Sequence, residues 1–357
     1  MLDGLVFGWR SAFLLAVLLP VIALALALCG TLHNRLANRT LATLLAVLAL
    51  YATPWMIGFA GFYDRWPVLT YVPFALNLAV PPLLWFYASA LVEGHLPRRA
   101  WLHLLPAMMQ AIYRIGRTAL PPQPVVEFLF DIALATGALV YGLAALRILR
   151  RYRHALADLR SDDARFAAHW LSRAIVAVLA LLTLTVGYKV AGQFVALGYE
   201  GNMGLYIAVA LTALYLGIEG WRYAAVALPH AAATVTAEPE PPPPRDWQAF
   251  GENIAARIRR EGWEADPGLS LDRLARLMGT NTSYVSRALN EGLGMNFSSF
   301  VNGLRSERVA AAIAAGSDAP LLRLAVDAGF ASKATFNRAF RARFDVTPSD
   351  YRQRIKT

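Results

Sequence analysis

Between Leu14 and Leu28 the chain carries no polar side chain at all. A helix built from that run has no face to turn toward water, so an amphipathic position on a soluble bundle is excluded. The run lies in an apolar segment near 5–29, the first of seven. The others fall near 40–61, 69–92, 101–120, 125–146, 172–197 and 203–226. About 20 apolar residues cross the hydrocarbon of a bilayer, so each segment reads as a candidate span. The fourth is the weakest, because Gln110, Arg114 and Arg117 interrupt it. Composition agrees: 57% of the 357 residues are hydrophobic and 16% charged. A soluble domain carries about 45–50% apolar and about 25% charged residues. The apolar excess is confined to residues 1–228, and charges become frequent from Arg245 onward.

Loop charges orient the spans, because Lys and Arg collect in short cytoplasmic loops. The first loop holds Arg35 and Arg39, and the third Arg98 and Arg99. The fifth holds Arg147, Arg150, Arg151, Arg153, Arg160 and Arg165. The second holds only Arg65, and the sixth, Tyr199 to Asn202, holds none. Odd loops are therefore cytoplasmic, the N-terminus is outside and everything after 228 is inside. The first apolar stretch lacks a basic start and more such stretches follow, so it does not read as a cleavable signal peptide.

Ionisable groups in hydrocarbon are costly and often functional. Lys189 and Glu219 are the two most plausibly within spans. Lys189, Gln193 and Asn77, with walls from Trp55 and Trp85, form a candidate ligand pocket. The plainer alternative is that Lys189 snorkels to the outer interface, Asn and Gln bond between helices, and the aromatics form interfacial belts.

Residues 229–245 begin PHAAATVTAEPEPPPP and read as an extended polyproline linker. Residues 246–357 form the second domain. From 245 onward there are 17 Lys/Arg against 12 Asp/Glu, a basic balance that suits nucleic acid. A helix is expected near Asp246 to Glu261, from apolar residues Trp247, Phe250, Ile254 and Ile258 at helical spacing. Ser270 caps the next helix, which ends at Gly279. Thr282 caps a short one bearing Val285, Ala288 and Leu289. Two short helices around a glycine-containing turn make a helix-turn-helix unit, about 269–291. A long helix over Phe297 to Ala314 follows, and then the pattern repeats over about 321–344. There Gly329 and Phe330 turn the chain, and Ser332 caps a helix from Lys333 to Phe344. A closing helix begins at Thr347.

The segment Gly329 to Arg352, GFASKATFNRAFRARFDVTPSDYR, closely resembles the signature of AraC-type (arabinose-regulator-like) transcription regulators. The matching residues are Gly329-Phe330, Ser332, Phe336, Arg338, Phe340, Phe344, Thr347-Pro348-Ser349 and Tyr351-Arg352. Leu274-Ala275, Ser286-Arg287 and Gly294 match the family's other half. Asp345 stands where glycine is common, and Asp tolerates a left-handed backbone better than most residues. The resemblance implies two recognition helices in successive major grooves. Ser283, Ser286 and Arg287 would face DNA from the first, and Lys333, Asn337 and Arg338 from the second. Thr282, Ser332 and Thr335 would meet phosphates near the helix starts. It also implies a dimer. The family's familiar soluble sugar-binding domain has no counterpart here.

The expected architecture is all-α: a seven-helix transmembrane bundle followed by a cytoplasmic double helix-turn-helix domain. The expected function is a transcription regulator in a bacterial cytoplasmic membrane. Its partners would be promoter DNA, the lipid bilayer and a small-molecule or protein signal sensed by the membrane domain. Two alternatives stay open: a regulator that the membrane part merely anchors, and a receptor or transporter with a DNA-binding-like domain. No catalytic dyad, nucleophile motif or phosphate loop is seen, so no enzyme and no cofactor are expected. The single Cys29 excludes a disulfide framework and a cysteine metal site, and the six His are scattered.

Overall fold

In a computed structural model, residues 5–72, 74, 76–116, 123–162, 166–195, 198–226 and 246–356 are described, and every regular element named below is a helix. Contacts divide the chain into two units. The first is 1–149 with 169–230; the second is 150–168 with 231–357. Segment 150–168, which the sequence places between two spans, thus groups with the C-terminal half. The proline-rich linker at 229–245 lies outside the described residues.

The first unit holds α1 (Trp9–Cys29), α2 (Arg35–Gly58), α3 (Val80–Val92), α4 (Leu105–Gly116), the first part of α5 (Pro124–Leu159), α6 (His169–Phe194) and α7 (Met203–Tyr223). Five of these, α1, α2, α5, α6 and α7, are long and apolar enough to cross a membrane. The other two expected spans differ. α4 has 12 residues, about 18 Å at the helical rise, against about 30 Å of hydrocarbon. A tight 3₁₀ turn, Ala100–Leu104, precedes it, and Pro106 sits in its first turn. α3 has 13 residues and begins with Pro81 and Pro82 in its first turn. Proline lacks an N–H and is tolerated at a helix start, not in the middle, so these prolines begin helices where a hydropathy window sees one unbroken span. Pro20 and Pro54 lie inside α1 and α2.

α2 packs against α1, α3 and α7, and α7 also against α1 and α6. Close approach needs small residues: a methyl on Gly220 of α7 would run into Leu41 of α2. The buried amide of Asn38 donates to Thr31 Oγ1 at 2.8 Å and to the His33 and Ala224 carbonyls at 3.0 Å each, tying α2 to the end of α7. The outer faces stay apolar. Leu15, Leu19, Ile22 and Leu26 of α1 are exposed, and so are Phe128, Leu129, Ile132, Leu139, Val140 and Leu143 of α5. Such a belt is larger than a water-facing surface normally carries.

The second unit holds the rest of α5, then α8 (Trp247–Glu261), α9 (Leu271–Met278), α10 (Thr282–Arg287), α11 (Phe297–Ala314), α12 (Leu321–Asp327), α13 (Lys333–Phe344) and α14 (Pro348–Lys356). It has two cores. Ile254, Ile258, Leu269, Leu274, Val285, Leu289, Phe297 and Val301 make one. Val309, Ile313, Ala325, Phe330, Phe336 and Phe340 make the other. α11 feeds its N-terminal half into the first core and its C-terminal half into the second. Two helix-turn-helix units therefore hang from one shared helix.

Candidate nucleic-acid interface

Each helix expected to read DNA is fixed by a local cap. Ser270 accepts from the Arg273 N–H at 3.3 Å and starts α9, which Gly279 ends in the left-handed region at φ +66°. The cap of α10 is Asn281, which accepts from the Tyr284 N–H at 2.8 Å. Thr282, expected as the cap, is the first helical residue instead. Asn outranks Thr as an N-cap, so the preceding residue takes the role. A wide π-type turn, Ala288–Gly292, continues α10. In the second unit Ser332 accepts from the Thr335 N–H at 3.1 Å and starts α13. Asp345 closes α13 in the left-handed conformation, φ +57°. Gly329 has φ +93°, and a Cβ there would lie 2.5 Å from the Glu264 carbonyl, so only glycine passes.

Core residues set which faces remain outside. Val285 of α10 and Leu289 of the turn that continues it are buried, leaving Thr282, Ser283, Ser286 and Arg287 partly exposed. Arg287 is not idle: its Nε donates to Glu291 at 2.8 Å, and its guanidinium lies 5.4 Å over the Trp247 ring. Phe336 and Phe340 anchor α13, leaving Lys333, Asn337 and Arg338 exposed beside the exposed Ser332. Thr335 stands apart. It is buried, and its hydroxyl lies 3.0 Å from Ser332 Oγ, inside the turn. Two exposed residues absent from the sequence-based set share these faces. Asn290 donates to Ser286 Oγ at 3.2 Å, and Arg341 lies one turn beyond Asn337. Spacing of i, i+4 was the available signal for both.

Arg338 also lines a cleft of about 710 Å³ between α8, α11 and α13, together with Arg259, Glu307 and Arg343. Glu307 accepts from Arg259 at 2.9 Å and from Arg343 at 2.7 Å. Burial alone would raise the Glu307 carboxyl; the two guanidinium bonds outweigh it and hold it below its ordinary value. Among the described residues no group of three or more His, Cys, Asp or Glu gathers to hold a metal.

The apolar half holds a second concavity of about 280 Å³, lined by Tyr51, Thr185, Tyr188, Lys189, Asn202 and Tyr206. Lys189 forms an ion pair with Asp131 of α5. Trp55 stacks on Tyr206, ring centroids 3.9 Å apart, and so supports the wall. Asn77 and Trp85 do not line it: Trp85 packs with His103 and Tyr141, and the Asn77 Oδ1 is buried without a partner. The Gln193 side chain lies outside the described residues. Glu219 is buried near the end of α7 and accepts from Arg222 at 2.7 Å.

Comparison with known proteins addresses the second unit. The family described as a helix-turn-helix domain matches residues 274–354. Regulatory protein SoxS of Escherichia coli (strain K12) is 32% identical over 90 residues, which are 25% of this chain and 83% of SoxS. Regulatory protein SoxS of Salmonella typhimurium is 32% identical over the same length and coverage. No solved structure matches the chain. The family match lies wholly within the second unit, and the relatives are regulators, not enzymes. By that match the chain belongs to the AraC-type helix-turn-helix regulators, with a DNA-binding domain at its C-terminal end.

Proposed function

We propose that this protein is a membrane-anchored, sequence-specific transcription regulator whose apolar half senses a signal and whose C-terminal domain reads promoter DNA from the cytoplasmic side. The observation that carries the reading is the joining, in one chain, of five helices long and apolar enough to cross a membrane with a DNA-binding domain of regulator type. The basic stretch from Arg147 to Arg165, at the end of α5 and after it, favours cytoplasmic placement of the DNA-binding end. It lies two crossings before that end, so the two share a side whether the chain crosses five times or seven. Arg98 and Arg99 join them on that side only with seven crossings.

Base reading falls to Ser283, Ser286 and Arg287 of α10 and to Lys333, Asn337 and Arg338 of α13, with Thr282 and Ser332 near phosphates. A dimer is part of the same reading. The sensing element is the concavity around Lys189, where an ion pair and three tyrosines offer polar groups to a small ligand. Reporter fusions test the anchoring and orientation. A periplasmic phosphatase is expected to be inactive when fused after Val226 and active in the loop at Tyr199 to Asn202; the reverse pattern refutes the topology. Genome-wide mapping of bound sites tests the regulator reading. Lys189→Ala separates sensor from anchor, since an unchanged response of the mapped targets to growth conditions leaves only anchoring.

A further inference from the structure

The turn after α5 is built into the DNA-binding unit. Ser161 is buried, and both its N–H (3.3 Å) and its hydroxyl (2.8 Å) donate to the Leu269 carbonyl. Leu269 is a core residue immediately before the cap of α9. Arg160 faces Ser270 in an antiparallel bridge, and Leu159 packs on the first core. From α11, Asn302 Nδ2 donates to the Ser161 carbonyl at 3.1 Å. Arg305 Nη2 donates to Ser161 Oγ at 3.1 Å. Asp162 is buried beside them and takes a forked pair of bonds from Arg160 at 2.7 and 3.2 Å.

Arg305 is the centre of this arrangement. Its side chain is fully enclosed, and it donates to the carbonyls of Glu264 and Asp266 at 2.7 Å each and to Asn302 Oδ1 at 3.0 Å. Burial pulls its pKa down to about 10 against the pull of Asp162, Asp266 and Glu264, so the group stays charged at neutral pH. Its guanidinium lies 6.0 Å from the Phe330 ring. The Glu264–Ala265 backbone it holds is the surface on which Gly329 rests. One buried cation thus touches the α5 turn, the shoulder of the first helix-turn-helix unit, the shared helix and the hinge of the second. A buried charge that loses a partner is costly, so the arrangement favours one relative placement of the two recognition helices.

We infer that the Arg160–Asp162 turn is an input strap: docked against Leu269, Asn302 and Arg305 it holds the two recognition helices in DNA-binding register, and a shift of α5 that withdraws it weakens binding. The inference rests on α5 being a membrane helix, as proposed above. It also places a second route from the apolar half to the DNA-binding domain, besides the proline-rich segment.

The test uses the full chain in lipid nanodiscs, with Cys29→Ser, Arg160→Cys, Ser270→Cys and a protease site within 231–240. Facing antiparallel residues lie about 4.5–5.5 Å apart at Cα, within disulfide reach. Mild oxidation is expected to keep the two halves covalently joined after cleavage, and reduction to release them. Halves that separate under both conditions overturn the docking. In the same background, Ser161→Ala removes two buried hydrogen bonds. It is expected to weaken binding of a duplex, selected from a random pool by the wild-type chain, about tenfold when reduced. Oxidation is expected to restore the affinity to within about twofold. Equal affinity in both redox states, or a loss that the disulfide does not rescue, overturns the role as an input. A wild-type chain that retains no duplex at all refutes the DNA-binding reading instead, while the cleavage result still judges the docking.

Discussion

Truncation of Arg287 separates what the side chain does for the fold from what it does for DNA. In the structure its guanidinium bonds Glu291 one turn on at 2.8 Å and lies 5.4 Å over Trp247, with 42% of the side chain exposed. A solvent-screened i,i+4 pair is worth about 0.3–0.5 kcal/mol. An exposed cation–π contact adds about 0.5–1 kcal/mol. Arg287→Ala therefore costs the fold at most about 1.5 kcal/mol, against a usual domain stability of about 5–15 kcal/mol. A bidentate contact to guanine is worth about 1–3 kcal/mol of discrimination. That is a loss of roughly 5- to 150-fold for the preferred base over the others. Arg287→Lys sharpens the assay, because it keeps the charge and loses the fork. The measurement is Kd, at fixed salt, for the duplex the wild-type chain selects and for its single-base variants. The expected result is a folded protein whose preference collapses at one base pair in both variants. Unchanged preference in Arg287→Ala, or Arg287→Lys matching wild type, refutes base reading; a loss equal across all sequences reassigns Arg287 to phosphate.

Three further outcomes follow from the two-core construction. Phe340→Ala empties a fully buried position in contact with Phe336, Phe344 and Tyr351 and should cost about 3–5 kcal/mol. Hydrogen exchange should then rise over 321–356 and stay low over 247–304; a rise throughout would show one cooperative core. Gly329→Val forces a β-branched residue to φ +93° against the Glu264 carbonyl, and should lower the thermal midpoint of the same segment more than Gly279→Val, whose position is open. Glu307 has its carboxyl held below its ordinary value. Its contribution is therefore present above the ordinary carboxylate range and lost as pH falls through the depressed value. Glu307→Gln should flatten the acid side of a plot of thermal midpoint against pH, and an unchanged slope would remove the ion cluster from the account.

The C-terminal helices were legible because their signals are local. Ser270, Ser332 and Gly279 each act within four residues, and α11 and α13 run over the ranges that the apolar periodicity predicts. Thr282 misled by one position because Asn281 beside it is the stronger cap. In the apolar half the windowed hydropathy of 69–92 and 101–120 carries no mark of a broken helix, since an irregular apolar stretch scores like a helical one. Prolines at 81, 82 and 106 are the cue, because each stands in the first turn of a helix rather than in the middle of a span. The partner of Lys189 was missed for a different reason. Asp131 stands 58 residues away on another helix, and pairing of charges across helices leaves no trace in spacing.

Ser161 is the sharpest case of that limit. In the sequence it is one small polar residue in the longest basic loop, between Arg160 and Asp162. Loops of that kind are normally solvated, and its composition argues for orientation in a membrane rather than for packing. What buries it is Arg305, 144 residues later, an arginine that in sequence looks like any exposed charge on an amphipathic helix. Arg305 gives itself away only in three dimensions, because a fully enclosed guanidinium must find acceptors for its N–H groups. It finds them on the carbonyls of 264 and 266, on Asn302 and on Ser161. The same cation therefore explains why the turn at Arg160–Asp162 packs against this unit. If the turn is the proposed input strap, a tether alone would leave the DNA-binding domain indifferent to the helices before it, and a shared buried charge would not.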